Sequence, residues 1–249
     1  MIILKTRDEI ERIREACQII ARLFKHLENF IQPGITTQEL DHEAELFIRS
    51  NNSTPAFKGY NGFPSSICVA INEQIVHGIP GPRKLKSGDI IGIDVGVTKN
   101  GFHGDAARTY PVGKISKEAN RLMEATQKSL VAGIEQTKPG NRLYDISAAI
   151  QHVVESAGFN VVRDFVGHGI GKSIHEEPQI PNFGKKDTGP LLKEGMTFAI
   201  EPMVNAGTWK SKILGDGWTV VTEDSSLSAH FEDTVAITSD GPDILSAME

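Results

Sequence analysis

The sequence predicts an α+β fold made of two pseudo-symmetric helix–helix–strand halves, and three observations predict it. The first is a pair of helical stretches divided by Pro-Gly, at Pro33-Gly34 and again at Pro139-Gly140. These breaks stand 106 positions apart, as do Leu40 and Ile146, and Ile48 and Val154, on the apolar stripes of the helices that follow. The second is the echo of His77-Gly78-Ile79 in His168-Gly169-Ile170. The third is a strand motif with an acid at one fixed point: LKSGDIIGIDVGV carries Asp94 where LKEGMTFAIEPMV carries Glu201. Matches that recur in one order mark a duplicated unit. The expected organisation is a single domain over 1–249, with internal repeats at about 5–112 and 115–240. Two such halves, related by a pseudo-two-fold, would bring their equivalent acids to a common centre.

Each element has a local cause. Thr6 with Glu9 forms a capping box, and Ile10, Ile13, Cys17, Ile20, Leu23, Phe24 and Leu27 then recur at helical spacing. Thr36 with Glu39 opens a second helix, whose stripe is Leu40, Ala44, Phe47 and Ile48. After Asn51-Asn52 the chain reads as strand-like from Phe57 to Ala70. In the second half one helix is expected over roughly 117–136, and another carries Ile146, Ile150, Val153 and Val154.

The strands show where the acids point. In IIGIDVGV, Ile91, Ile93, Val95 and Val97 share one face, and Gly92, Asp94 and Gly96 share the other. Thr197 and Ala199 flank Glu201 in the same way, Ala107 and Thr109 follow Asp105, and Thr234 and Ala236 follow Glu232. Four carboxylates thus stand on faces of small residues while bulkier groups turn toward the helices. DAARTYPV has a looser echo in FEDTVAIT, which sets Asp105 opposite Glu232.

Composition narrows the function classes. Hydrophobic residues are 39% and charged residues 23%, the balance of an ordinary globular protein. A net charge of -6 without a basic block argues against specific nucleic-acid binding. Neither a signal peptide nor a membrane span fits. Cys17 and Cys68 both sit in apolar stretches and are expected as buried thiols in a reducing compartment, hence a cytoplasmic protein.

Four acids in one interior repel one another unless cations balance them. Asp94, Asp105, Glu201 and Glu232 with His168 make a donor set for two divalent metal ions of the Co, Mn, Fe(II) or Zn type. Such a pair activates water and stabilises an oxyanion. His77 and His175 stand in glycine-rich stretches and are read as outer histidines that bind substrate or shuttle a proton. His26, His42, His103, His152 and His230 are read as structural, the first, second and fourth on helices and His103 in a turn, although His230 shares a face with Glu232.

The motifs NEQIVHGIPG, GDIIGIDVGV with GFHGDAARTY, GHGIGKSIHEEPQIPNFG, MTFAIEPM and SAHFEDTV together resemble the type I methionine aminopeptidases, in the short form without an amino-terminal zinc-binding extension. The resemblance covers essentially the whole chain. It implies the pita-bread fold, with helices outside a curved antiparallel sheet. It implies hydrolytic removal of the initiator methionine from nascent polypeptides when the second residue is small and uncharged. By this likeness Asp94 chelates one metal, His168 and Glu201 hold the other, and Asp105 and Glu232 bridge them. Glu201 helps activate water, His77 contacts the scissile amide, and His175 polarises its carbonyl. The methionine pocket falls on Tyr60, Phe63, Cys68 and Trp218, with Ile174 where some relatives carry an aromatic residue and Asn61 also bearing on the pocket's shape. A monomer that associates transiently with the ribosome is the expected state.

Overall fold

The computed structural model describes residues 2–248. Helix α1 (Arg7–Leu27) begins at the Thr6–Glu9 capping box and α2 (Thr37–Ser50) at the Thr36–Glu39 box, each with both reciprocal bonds formed. Their buried stripes pack on strands β2 (Cys68–Ile71), β4 (Ile90–Lys99) and β5 (Phe102–Pro111). The short β1 (Thr54–Pro55) precedes β2, and β3 (Gln74–Val76) lies between β2 and β4 in the chain. Asn100 and Gly101, both at positive φ, turn β4 into β5.

The second half repeats the order with α3 (Lys117–Ile134) and α4 (Leu143–Ser156). There follow β6 (Asn160–Val161), β7 (Gly167–Gly169), β8 (Glu176–Ile180), β9 (Thr197–Ile200) and β10 (Met203–Asn205). The last strands are β11 (Ser211–Ile213), β12 (Val220–Thr222), β13 (Ser228–His230), β14 (Asp233–Thr238) and β15 (Gly241–Ile244). Helices α3 and α4 cover Phe198, Ile200, Val204, Ala229 and Val235, a core separate from that beneath α1 and α2.

All strand pairs are antiparallel. Among the described residues the ladder is not one continuous sheet but four hydrogen-bonded pieces, in the orders β1-β4-β2 with β5 on β4, β13-β10-β6, β11-β12-β3 and β15-β14-β9-β7-β8. One break falls at Glu201-Pro202 between β9 and β10, where proline has no N–H to give the ladder. The two larger pieces meet at an isolated bridge between Ala107 and Glu232, with Glu232 N donating to Ala107 O at 2.9 Å.

Burial on the helix side fixes what faces the other way. Ile91, Ile93, Val95 and Val97 are fully buried, each worth roughly 1.5–3 kcal/mol. Slipping β4 by one residue would turn all four outward and Asp94 into the helices. Gly104 lets α1 lie flush on β5, since a Cβ there would come within 2.7 Å of Cys17 Sγ.

Of the strand expected through Phe57 to Ala70 only the last part forms, in β2; the short β1 lies just before it. Gly59 and Gly62 adopt φ of 87° and 86°, Asn61 adopts 49°, and a 3-10 turn spans Tyr60–Gly62. Turn residues override the aromatic strand propensity here. His103, expected in a turn, is the second residue of β5, because the Asn100-Gly101 turn is only two residues long.

Candidate metal centre and substrate cavity

Asp94 stands in β4 opposite Ala107, and Asp105 stands in β5 opposite Gly96, so the two acids share the face turned from the helices. Glu232 joins them through the bridge to Ala107. Behind it, the Arg108 guanidinium donates to Glu232 O and to Asp233 Oδ1, which also accepts from Ser246 Oγ at 2.6 Å. His168 in β7 pairs with Ala199 of β9, and Glu201 follows the end of that strand. All five candidate ligands therefore line one cavity of about 240 Å³.

Donor atoms of Asp105, His168 and Glu232 lie within 4.8 Å of one another. His168 Nε2 is 3.5 Å from Glu201 Oε1 and 3.8 Å from Asp105 Oδ2. Its Nδ1 is 2.9 Å from Gly169 O. A carbonyl only accepts, so Nδ1 carries the proton. Burial, with His175 nearby, pushes the ring down to about 3, so the imidazole is neutral. The Nε2 lone pair therefore faces the carboxyl groups of Asp105 and Glu201. A neutral imidazole nitrogen grouped with carboxyl oxygens is a donor set that a divalent cation can fill.

The carboxylates give the same sign. Burial raises Asp94 to about 7. Burial together with the neighbouring acids holds Asp105, Glu201 and Glu232 well above the usual carboxylate range. Asp94 Oδ1, Asp105 Oδ1 and Glu232 Oε1 are buried with no hydrogen-bond partner among the described residues. Orphaned oxygens of this kind ordinarily cost a few kcal/mol each. The donor chemistry thus fits divalent cations: hard oxygens, one neutral imidazole, and an unmet need for positive charge.

The cavity wall holds the expected pocket residues Tyr60, Phe63, Cys68 and Trp218, and also Phe57 and Asn61. Phe63 meets Trp218 edge to face at 5.1 Å. Trp218 arrives because β12, next to it in sequence, pairs with β3 of the other half. Ile174 packs behind the wall with Phe57, Phe63 and Cys68. Burial and the charge of Asp94 push the Cys68 thiol up, so it lines the wall as a neutral group.

His77 and His175 also line the cavity. His77 is held at a φ of 58°, a strained setting for a side-chain-bearing residue. Gly78 makes it possible, since a Cβ there would come within 2.0 Å of Val69 O. Burial and His175 push the His77 imidazole down to about 4, so it stays neutral. His175 Nδ1 and the Tyr60 hydroxyl share a 2.8 Å hydrogen bond, and the His175 ring lies edge to face with His168 at 4.4 Å.

Two residues read as structural stand close to this centre. His230 is buried in β13, with Nε2 3.8 Å from Glu201 Oε2 and 4.0 Å from Glu232 Oε2. That Nε2 has no hydrogen-bond partner among the described residues. The shared face with Glu232 was its one sequence signal. His103 shares the face of Asp105 in β5 and hydrogen-bonds Thr98 through Nδ1. Phe57 had no signal, being one aromatic among several in a stretch read as strand.

A donor set short of positive charge, open to one apolar-walled cavity and carried on a helix-backed antiparallel framework, is that of a metal-dependent hydrolase. The chain belongs to metallopeptidase family M24, whose model matches residues 11–239. It is similar to the methionine aminopeptidase of Clostridium perfringens, at 54% identity over all of both chains. It is likewise similar to methionine aminopeptidase 1 of Bacillus subtilis, at 56% identity over 98% of this chain and 99% of the relative. A crystal structure of methionine aminopeptidase from Thermotoga maritima matches with a TM-score of 0.98 and 45% identity, covering all of both chains. The pita-bread fold implied by the sequence motifs is the fold of the chain.

Proposed function

We propose that this chain removes the amino-terminal methionine of new polypeptides whose second residue is small and uncharged, using two divalent cations held by Asp94, Asp105, His168, Glu201 and Glu232. The observation that carries the metal-dependent chemistry is the neutral His168 imidazole, its Nε2 lone pair facing Asp105 and Glu201. Methionine as the residue removed is supported by the relatives, which carry the name methionine aminopeptidase at 54% and 56% identity. When bound, the cations supply Lewis acidity and a counter-charge to the negative charge that develops during hydrolysis.

The chain's own groups then have distinct tasks. Tyr60, Phe63, Cys68 and Trp218 line a pocket that takes an unbranched thioether. At about 240 Å³ the cavity is below the ~300–1,000 Å³ of sites that enclose drug-sized ligands, which suits the end of a chain. His175, its Nδ1 engaged by Tyr60, has Nε2 left to donate to the substrate carbonyl oxygen, where charge builds up. His77, also on the cavity wall, contacts the scissile amide or its leaving nitrogen. Glu201 receives the proton of the attacking water and passes it toward the departing amine. The same reading extends to a cytoplasmic monomer that meets nascent chains during transient ribosome association. The buried free thiols Cys17 and Cys68 support a reducing compartment.

The substrate reading is tested by offering manganese-loaded protein Met-Ala-Ser, Met-Trp-Ser and acetylated Met-Ala-Ser. The expected result is methionine release from the first peptide alone. Release from the acetylated peptide at a similar rate would contradict it, because the reading requires a free amino terminus.

A further inference from the structure

The amino-terminal arm is tied to the residue after His175 by a charge pair that the hydrolytic scheme leaves unused. Lys5 Nζ lies 2.6 Å from Glu176 Oε2, and their side chains are only 4% and 8% exposed. The residues are 171 positions apart. Lys5 itself is fixed: its N–H donates to Gly195 O at 2.7 Å. Gly195 fits so close that a Cβ there would meet Lys5 O at 2.8 Å.

Glu176 is the neighbour of His175 and the first residue of β8. Its other oxygen, Oε1, accepts from Ser173 N at 3.2 Å. The loop from Gly171 is wound directly on the pair. A Cβ at Gly171 would come within 2.5 Å of Lys5 Cε and 2.7 Å of Glu176 Oε1. Gly171 O accepts from His103 N, and Gly171 N donates to Ser173 O. The backbone on both sides of His175 is therefore referred to one buried ammonium group.

Stability alone does not account for a buried pair. Desolvating two charges offsets most of their attraction, and an apolar pair of like volume would do as well. What a hydrogen-bonded charge pair supplies is direction. We propose that the Lys5–Glu176 pair is a positioning device that sets His175 against the bound peptide, which makes Lys5 and Glu176 positioning residues of the reaction. The proposal rests on the reading of His175 as the donor to the substrate carbonyl.

The test is steady-state kinetics on Met-Ala-Ser with manganese-loaded wild type, Lys5→Met, Glu176→Gln, Lys5→Arg, His175→Ala and the double variant Lys5→Met/His175→Ala. Lys5→Met and Glu176→Gln are expected to lower kcat between about ten- and a hundredfold, the penalty for misplacing a group by ~1 Å. KM should stay within about twofold, because the lost contact belongs to the transition state. Lys5→Arg should recover most of the rate, and the double variant should be no slower than His175→Ala alone. Glu176→Gln keeps the side-chain shape, so it reports even if Lys5→Met folds poorly. Wild-type kcat in both single variants would overturn the proposal while leaving the His175 reading intact. So would a double variant that falls as far below His175→Ala as Lys5→Met falls below wild type, since that signals general loosening. Full activity in His175→Ala would remove the reading of His175 and the proposal with it.

Discussion

Glu232→Gln is expected to fold, to lose metal, and to release methionine from Met-Ala-Ser at least about a hundredfold more slowly than wild type. That figure is the top of the range for losing a group that merely orients a ligand. Glu232 is 2% exposed, bridges to Ala107 through its backbone, and keeps a buried Oε1 with no partner among the described residues. The amide preserves shape and backbone pairing but removes the charge. In wild type at a metal concentration of 100 Kd, binding adds about 2.7 kcal/mol to stability, a rise in Tm of about 5–10 °C for a chain of this length. The variant should show little of that rise.

In the metal-free proteins the order reverses. Burial and the surrounding carboxylates hold Glu232 well above its ordinary 4.5. A carboxyl whose folded pKa is raised adds stability below its unfolded value and loses it as pH rises through the folded value. Metal-free Glu232→Gln should therefore melt above metal-free wild type at pH 8, with a gap that shrinks toward pH 5. Differential scanning calorimetry at the two pH values checks this. A metal-free variant less stable than wild type at pH 8 would mean that the cluster is not short of positive charge.

Gly169→Ala is expected to cost about 3 kcal/mol or more and to abolish metal binding in whatever folds. A Cβ at Gly169 would lie 2.3 Å from Glu177 O and 2.8 Å from Glu177 C. Both are backbone atoms, so β7 and β8 must separate. Overpacking of this kind ranks among the large single-residue effects. The displacement also moves Gly169 O, the acceptor that fixes the His168 tautomer. Gly81→Ala is the control: a Cβ there would meet nothing within 4 Å, and the change should stay within about 0.5 kcal/mol. Urea unfolding of both metal-free variants distinguishes them. Equal midpoints would contradict the packing described around His168.

The parts of this site that could be read from the sequence are those with a local cause. The capping boxes at Thr6 and Thr36 start α1 and α2 where their residues require. The alternation in β4 aims Asp94 away from the helices because Ile91, Ile93, Val95 and Val97 must be buried. The repeated His-Gly-Ile was legible, but not that Gly78 and Gly169 lie against the backbone of Val69 and Glu177. What escaped depends on long-range pairing. His230 reaches Glu201 because β13 pairs with β10, a register that no local pattern encodes. Lys5 looks like an ordinary charged residue before a helix, yet its partner lies in β8. The break at Glu201-Pro202 combines a proline with the meeting of two sheets, and only the first is visible in the chain.

The most direct test of the metal-dependent site is a titration of dialysed, metal-free protein with Mn(II), following bound metal by elemental analysis and methionine release from Met-Ala-Ser in the same samples. The expected result is no release without metal, then a rate that climbs and levels off as binding approaches about two ions per chain, the stoichiometry of a dinuclear hydrolase. Undiminished release from protein shown to hold no metal would contradict it, as would a chain that fills with metal and releases no methionine with Mn, Co, Fe(II) or Zn.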